Sequence, residues 1–296
     1  MFMLKGSMVA LVAPFKRNRS IDEDKLRFLI NWHIKNKTDG ILVCGTTGES
    51  ATLTHQEHKK IISIAVDQAK GKVPIIAGAG SNSTDEALDL TKYAKKAGAD
   101  YALVITPYYN KPTQSGLIQH FRKISNVVNI PIIIYNVPGR TGVNILPETV
   151  VEIANSCKNI VGIKEASGSL SQATEIMSKV PKGFSLLSGN DQIILPIMSI
   201  GGSGVVSVVA NIAPKATHQL TESFLKGDIK KAKKIQLELY DLIKVLFIET
   251  NPIPVKTALS LMGLIEGNFR LPLCKMDKKN LTKLKSVLKK HKLITG

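Results

Sequence analysis

The chain has 296 residues, 44% of them hydrophobic, enough to bury a sizeable core in one large domain or two small ones. No run of about 18 apolar residues occurs, so no membrane-spanning helix is expected. The net charge of +17 raises nucleic-acid binding, yet 34 of the 40 basic residues are Lys, whereas base readers lean on the Arg fork.

Sixteen Lys/Arg against six Asp/Glu fall in residues 226–296. That tail lacks interleaved aromatics for stacking bases, and groups such as Lys230-Lys231-Ala232-Lys233-Lys234 read as solvated helix faces. No nucleic-acid or membrane partner is therefore expected. The start, Met1-Phe2-Met3-Leu4-Lys5-Gly6-Ser7, lacks a signal-peptide core. Three cysteines (Cys44, Cys157, Cys274), odd in number and widely spaced, suggest a reducing, cytoplasmic setting and offer no metal-ligand spacing.

In chain order, a strand-like run at 8–15 is followed by Ser20-Ile21-Asp22-Glu23, which fits a capping box and predicts a helix start. The run at 40–45 leads to Thr54-His55-Gln56-Glu57, and that at 73–80 to Ser83-Thr84-Asp85-Glu86, two further boxes. Runs at 101–107, 130–138, 160–166, 184–189 and 204–210 continue the alternation, with Gly71, Gly98 and Gly183 where helices would end. Eight βα units in about 225 residues predict an α/β protein of the (β/α)8 TIM-barrel type. A doubly wound open sheet would need a nucleotide-binding glycine fingerprint after the first strand, and none follows it. Beyond residue 225 the period becomes helical, at 228–249, 252–265 and 277–291. This predicts a catalytic barrel over 1–225 and a C-terminal helical extension over 226–296, a support or oligomerisation element.

One strand stands apart. Ile160-Val161-Gly162-Ile163 reads as fully buried, yet it runs into Lys164. Burial disfavours a charged amine, and a neutral lysine amine is a nucleophile whose characteristic reaction is Schiff-base formation with a carbonyl. The competing reading is a lysine that snorkels past the strand end. In TIM barrels chemistry collects at the C-terminal ends of strands. Those ends read Gly45-Thr46-Thr47-Gly48-Glu49, Thr106-Pro107-Tyr108-Tyr109-Asn110, Tyr135 to Gly142, Lys164-Glu165-Ala166-Ser167, Gly189-Asn190-Asp191 and Gly201-Gly202-Ser203-Gly204. Hydroxyls, phenols, one arginine and one lysine suit a small anionic oxo-acid: hydroxyls and backbone N–H groups hold a carboxylate, and a phenol moves protons. Gly201–Gly204 could also cradle a phosphate, although a tight turn before the last strand is the favoured reading.

Gly45-Thr46-Thr47-Gly48-Glu49, Tyr135-Asn136-Val137-Pro138-Gly139-Arg140-Thr141-Gly142 and Gly162-Ile163-Lys164-Glu165-Ala166 together resemble the dihydrodipicolinate synthase (4-hydroxy-tetrahydrodipicolinate synthase) family. This family lies within the class I aldolase and N-acetylneuraminate lyase superfamily, and the resemblance covers essentially the whole chain. It implies condensation of pyruvate with L-aspartate 4-semialdehyde, the entry step to diaminopimelate and lysine, without cofactor or metal. It further implies that Lys164 forms the pyruvate imine and that Tyr135 is the general acid/base. Thr47 and Tyr109 would complete a proton relay, Tyr109 reaching a neighbouring subunit of a homotetramer built from dimers. Thr46 and Thr47 would hold the pyruvate carboxylate, Arg140 the carboxylate of the semialdehyde, and Gly189 and Val206 would line the pyruvate pocket. Val206 often appears as Ile in the family. N-acetylneuraminate lyases typically carry Ser at the place of Thr46 and lack the arginine, so Arg140 favours the semialdehyde. Sugar-acid aldolases or dehydratases on the same scaffold are a further alternative.

His55 and His58 sit at helical i, i+3 spacing, but a third ligand and the His-Glu-x-x-His order of zincins are missing, so no metal is expected. The resemblance supplies another role. Ser50, Ala51, His55, His58, Asn82, Glu86 and Tyr108 match the allosteric L-lysine site of feedback-regulated members, with Glu86 suited to an ammonium unless its capping box claims it.

Overall fold

A computed structural model describes residues 4–295. Met1–Met3, part of the start read above as lacking a signal peptide, and Gly296 lie outside the described residues. Eight parallel strands form a closed barrel in sequence order: β1 (Gly6–Ala10), β2 (Gly40–Val43), β3 (Ile75–Gly78), β4 (Tyr101–Ile105), β5 (Ile132–Asn136), β6 (Ile160–Glu165), β7 (Ser185–Ser188) and β8 (Gly204–Ser207). The intervening helices are α1 (Glu23–Lys35), α2 (His55–Ala69), α3 (Thr84–Ala97), α4 (Gln114–Val127), the one-turn α5 (Pro138–Thr141), α6 (Pro147–Ser156), α7 (Leu170–Lys179) and α8 (Ile194–Ser199). Then come α9 (Pro214–Leu225), α10 (Ile229–Val245), α11 (Ile253–Leu261) and α12 (Lys278–Lys290). The predicted (β/α)8 barrel with C-terminal helices is the fold observed. Among the described residues, no helix is long and apolar enough to cross a membrane.

Strand alternation divides the core in two. Met8, Ala10, Leu42, Ile76, Leu103, Ile133, Tyr135, Leu187 and Val206 fill the barrel, whereas Val9, Ile41, Ile75, Ile134 and Ile163 face the helix layer. Closure needs two glycines. Gly6 pairs with Gly204, and a Cβ on Gly204 would lie 2.0 Å from the carbonyl oxygen of Gly6.

The paired strands are shorter than the apolar runs. The run 8–15 yields a strand only over Gly6–Ala10: Leu11 N still bonds Leu42 O of β2, but Val12 N turns to Asn211 Oδ1 and the Pro14 nitrogen has no hydrogen. The predicted box at Ser20 is not formed, since Asp22 is the N-cap of α1 and accepts from Lys25 N at 3.1 Å. Thr54 and Glu57 form the full capping box predicted for α2. At α3 only half forms: Ser83 accepts from Glu86 N, but the Glu86 carboxylate turns to Ser81 and His55. The turn Gly201–Gly204 precedes β8, so it lies at the N-terminal face of the barrel and not with the strand ends where it was placed above.

In α10 the buried positions are Ala232, Ile235, Gln236, Leu239, Leu242, Ile243 and Val245, packed against α9, α8 and α12, while Leu237 and Tyr240 are exposed. Gln236 donates to Asp191 O at 3.1 Å and accepts from Leu195 N at 3.3 Å, tying the extension to the loop after β7.

Candidate active site

The site stands on two adjacent strands. Tyr135 of β5 and Lys164 of β6 are register partners, each the penultimate residue of its strand. Both are 6% exposed, and the Lys164 Nζ lies 4.1 Å from the centroid of the Tyr135 ring. Lys164 therefore does not snorkel outward; it ends inside the barrel. The next residues, Asn136 and Glu165, alternate to the opposite face. Asn136 Nδ2 donates to Glu165 Oε2 at 3.0 Å and to Asn144 Oδ1 at 2.7 Å; Glu165 also accepts from Ser167 N at 2.6 Å and Gln172 Nε2 at 3.1 Å. This buried network clamps β5 to β6 directly behind Tyr135 and Lys164.

A cavity of about 260 Å³ opens above the pair, lined by Thr46, Thr47, Tyr135, Arg140, Lys164, Gly189 and Val206 together with Asn190, Gln192 and Asn251. Thr46 and Thr47 come from the loop after β2, Arg140 from α5, Gly189 from the end of β7 and Val206 from β8. Gly189 is required where it stands, since a Cβ would lie 2.5 Å from that of Ala166. Its N–H donates to Glu165 O at 2.7 Å, which draws the loop after β7 over the strand carrying Lys164. The following Asp191 is fully buried and accepts from the N–H groups of Val208 and Val209 at 3.0 and 2.9 Å. Burial raises its pKa, against the opposing effect of bonds from Ser207, Val209 and Val208 and the proximity of Lys164.

A second cavity of about 540 Å³ adjoins the first, sharing Thr46, Tyr135, Arg140 and Asn251. It is lined by Ser50, Ala51, His55, His58, Glu86 and Tyr108. His58 is buried, its Nε2 2.7 Å from Gly78 O, and burial holds its pKa below the usual histidine value. His55 pairs with Glu86 at 2.7 Å. Asn82 does not line the cavity; its carbonyl accepts from Asn110 Nδ2 at 2.9 Å. Tyr109 lines neither cavity and is 89% exposed, held at φ 72°. Cys44 and Glu49, which line the larger cavity, also adopt positive φ, at 55° and 53°, in the loop after β2.

Sequence reading missed the contribution of the C-terminal segment. Asn251 donates through Nδ2 to Thr47 Oγ1 at 3.0 Å, and its carbonyl accepts from Arg140 Nη2 at 3.1 Å. Lys256 of α11 is wholly buried against Glu49, its Nζ 4.3 Å from the Phe15 ring centroid and 5.1 Å from that of Phe269. Arg270 donates to Thr52 O at 2.9 Å and to Glu57 at 2.7 Å, pinning the start of α2. Asn251 lies 111 residues from Arg140 and 204 from Thr47, Lys256 lies 207 from Glu49, and neither Asn nor a helical Lys carries a local signal of such a contact.

Fold and site define a TIM-barrel enzyme with a buried lysine at the C-terminal end of its sixth strand. The comparisons place it further. The model of the dihydrodipicolinate synthetase family matches residues 3–291. The 4-hydroxy-tetrahydrodipicolinate synthase of Clostridium tetani is 54% identical over 294 residues, covering 99% of this chain and 100% of the relative. The crystal structure of dihydrodipicolinate synthase from Aquifex aeolicus superposes with a TM-score of 0.96 at 50% identity, covering 98% of each chain. The Cyanidioschyzon merolae enzyme, solved with lysine bound, gives a TM-score of 0.96 at 40% identity, covering 99% of this chain and 100% of that one. The chain belongs to the dihydrodipicolinate synthetase family, and so to a lyase family of lysine and diaminopimelate biosynthesis.

Proposed function

We propose that the chain condenses pyruvate with L-aspartate 4-semialdehyde through a Schiff base on Lys164, giving 4-hydroxy-tetrahydrodipicolinate. The observation that carries this is the buried Lys164 amine over the Tyr135 ring, in a cavity that Thr46, Thr47 and Arg140 also line. The amine adds to the pyruvate carbonyl and water leaves, forming an iminium that withdraws electrons from the methyl group. Tyr135, relayed by Thr47 and by Tyr109 of a neighbouring subunit, removes a methyl proton to leave an enamine. The enamine carbon attacks the aldehyde, whose oxygen takes up a proton. The amine of the joined product then closes on the iminium carbon and expels Lys164. The lysine is itself the electron sink, so the scheme calls for no cofactor.

Thr46 and Thr47 hold the pyruvate carboxylate, beside Gly189 and Val206. Arg140 binds the second carboxylate, for which a planar fork with several donors is suited. Exposure of Tyr109 supports its work across a boundary between copies, in a homotetramer of dimers. The larger cavity is the proposed L-lysine site; support comes from its His55–Glu86 pair and from the lysine-bound Cyanidioschyzon merolae relative. Residues 1–225 then supply the catalytic barrel and 226–296 its support, in a protein whose unpaired thiols Cys44, Cys157 and Cys274 suit the cytoplasm.

The test is borohydride reduction in the presence of pyruvate. One adduct, mapping to Lys164, is expected, and Lys164→Ala should lose both adduct and turnover. An adduct on any other lysine refutes the assignment.

A further inference from the structure

Asn251 comes from the segment between α10 and α11, far in sequence from every strand-end loop, yet it borders both cavities. It is 6% exposed and holds two functional groups at once, Thr47 through its side chain and Arg140 through its carbonyl. Its Oδ1 is buried and has no protein hydrogen-bond donor among the described residues. An unpartnered buried acceptor is costly and is retained only where the surroundings dictate the arrangement.

We propose that Asn251 is a positioning residue that sets the direction of proton transfer through Thr47, an inference that rests on the Lys164 reading above. A threonine hydroxyl has one proton and two lone pairs. Where the amide donates to Oγ1, it occupies a lone pair and leaves the hydroxyl proton to point elsewhere, toward the cavity that Thr47 shares with Tyr135 and Lys164. A carboxylate at position 251 would reverse this bond. Ionised, it only accepts, so it would draw the Thr47 proton to itself and away from the reacting centre. The main-chain contact to Arg140 would remain in either case.

The experiment compares wild type, Asn251→Asp and Asn251→Leu with pyruvate alone. Exchange of the pyruvate methyl protons for deuterium, followed by NMR, reads enamine formation without the second substrate. Borohydride trapping on the same samples reads imine formation and the integrity of the pocket. Exchange should fall at least tenfold in both variants, with trapping and the apparent pyruvate affinity within about twofold of wild type. Wild-type exchange in both variants overturns the proposal. Wild-type exchange in Asn251→Asp with loss in Asn251→Leu overturns it too, since the amide would then serve as acceptor. Exchange and trapping lost in parallel would mark Asn251 as structural. Failure of wild type itself to trap pyruvate would instead refute the Lys164 reading and this inference with it.

Discussion

The buried Glu49–Lys256 pair joins the loop carrying Thr46 and Thr47 to the C-terminal helices, and it supports a quantitative prediction. Both side chains are 0% exposed, and the Lys256 amine rests against Phe15 and Phe269, with Arg270 N reaching Glu49 Oε2 at 3.4 Å. Burial lowers the Lys256 pKa, and the charge of Glu49 opposes that effect. Glu49→Gln leaves the amine in a dry pocket without its counter-charge. Removing one member of such a pair costs about 3–5 kcal/mol, while replacing both members by apolar residues of like volume is near neutral. At about 2–4 °C per kcal/mol for a domain of this order of size, Glu49→Gln should lower the melting temperature by about 6–20 °C. Glu49→Leu combined with Lys256→Met should recover most of that loss. Calorimetry on Glu49→Leu, Lys256→Met and the double variant closes the cycle. A Glu49→Gln protein melting within about 2 °C of wild type would refute the argument, as would a double variant less stable than either single one.

Arg140→Ala should cut kcat/KM for the semialdehyde by 100-fold or more while borohydride trapping of pyruvate persists; Arg140→Lys should recover only part, because an ammonium lacks the fork. Equal losses in both assays would mean that the arginine supports the pocket as a whole. L-Lysine should inhibit without simple competition against pyruvate, and Glu86→Ala should weaken that inhibition at least tenfold with basal turnover within about twofold; calorimetry showing no lysine binding at millimolar ligand would remove the regulatory site. Stability should fall as pH drops below about 6.5. His33 and His120 are held neutral by burial, with pKa values of about 3 and about 4, so the unfolded chain takes up protons that the folded one refuses. His33→Asn should flatten the melting-temperature slope between pH 6.5 and 5, and an unchanged slope would assign it to other groups.

How much of this was legible beforehand depends on the range of the interactions. Strand positions, the Thr54 capping box and the buried run into Lys164 rest on period, local hydrogen bonding and burial, all carried by neighbouring residues. Strand ends overshot because Leu11, Val12 and Val137 are as apolar as paired residues, while pairing is decided by the adjacent strand. Glu86 could not be assigned from its capping pattern, since Ser81 and His55 compete for the same carboxylate and only their positions in space settle it. Gly201–Gly204 looked like its counterparts at strand ends until the direction of β8 placed it at the far face.

The amino-acid sequence by itself pointed to the barrel, because eight apolar runs alternate with amphipathic helices and no nucleotide-binding glycine fingerprint follows the first, and it marked the lysine, because a cation in a buried strand is conspicuous. The tertiary structure alone decided that Asn251, Lys256 and Arg270 belong to the architecture of the site. Their partners Thr47, Glu49 and Glu57 lie 204, 207 and 213 residues away, and a hydrogen bond across such a span leaves no periodicity, spacing or composition in the chain for sequence reading to detect.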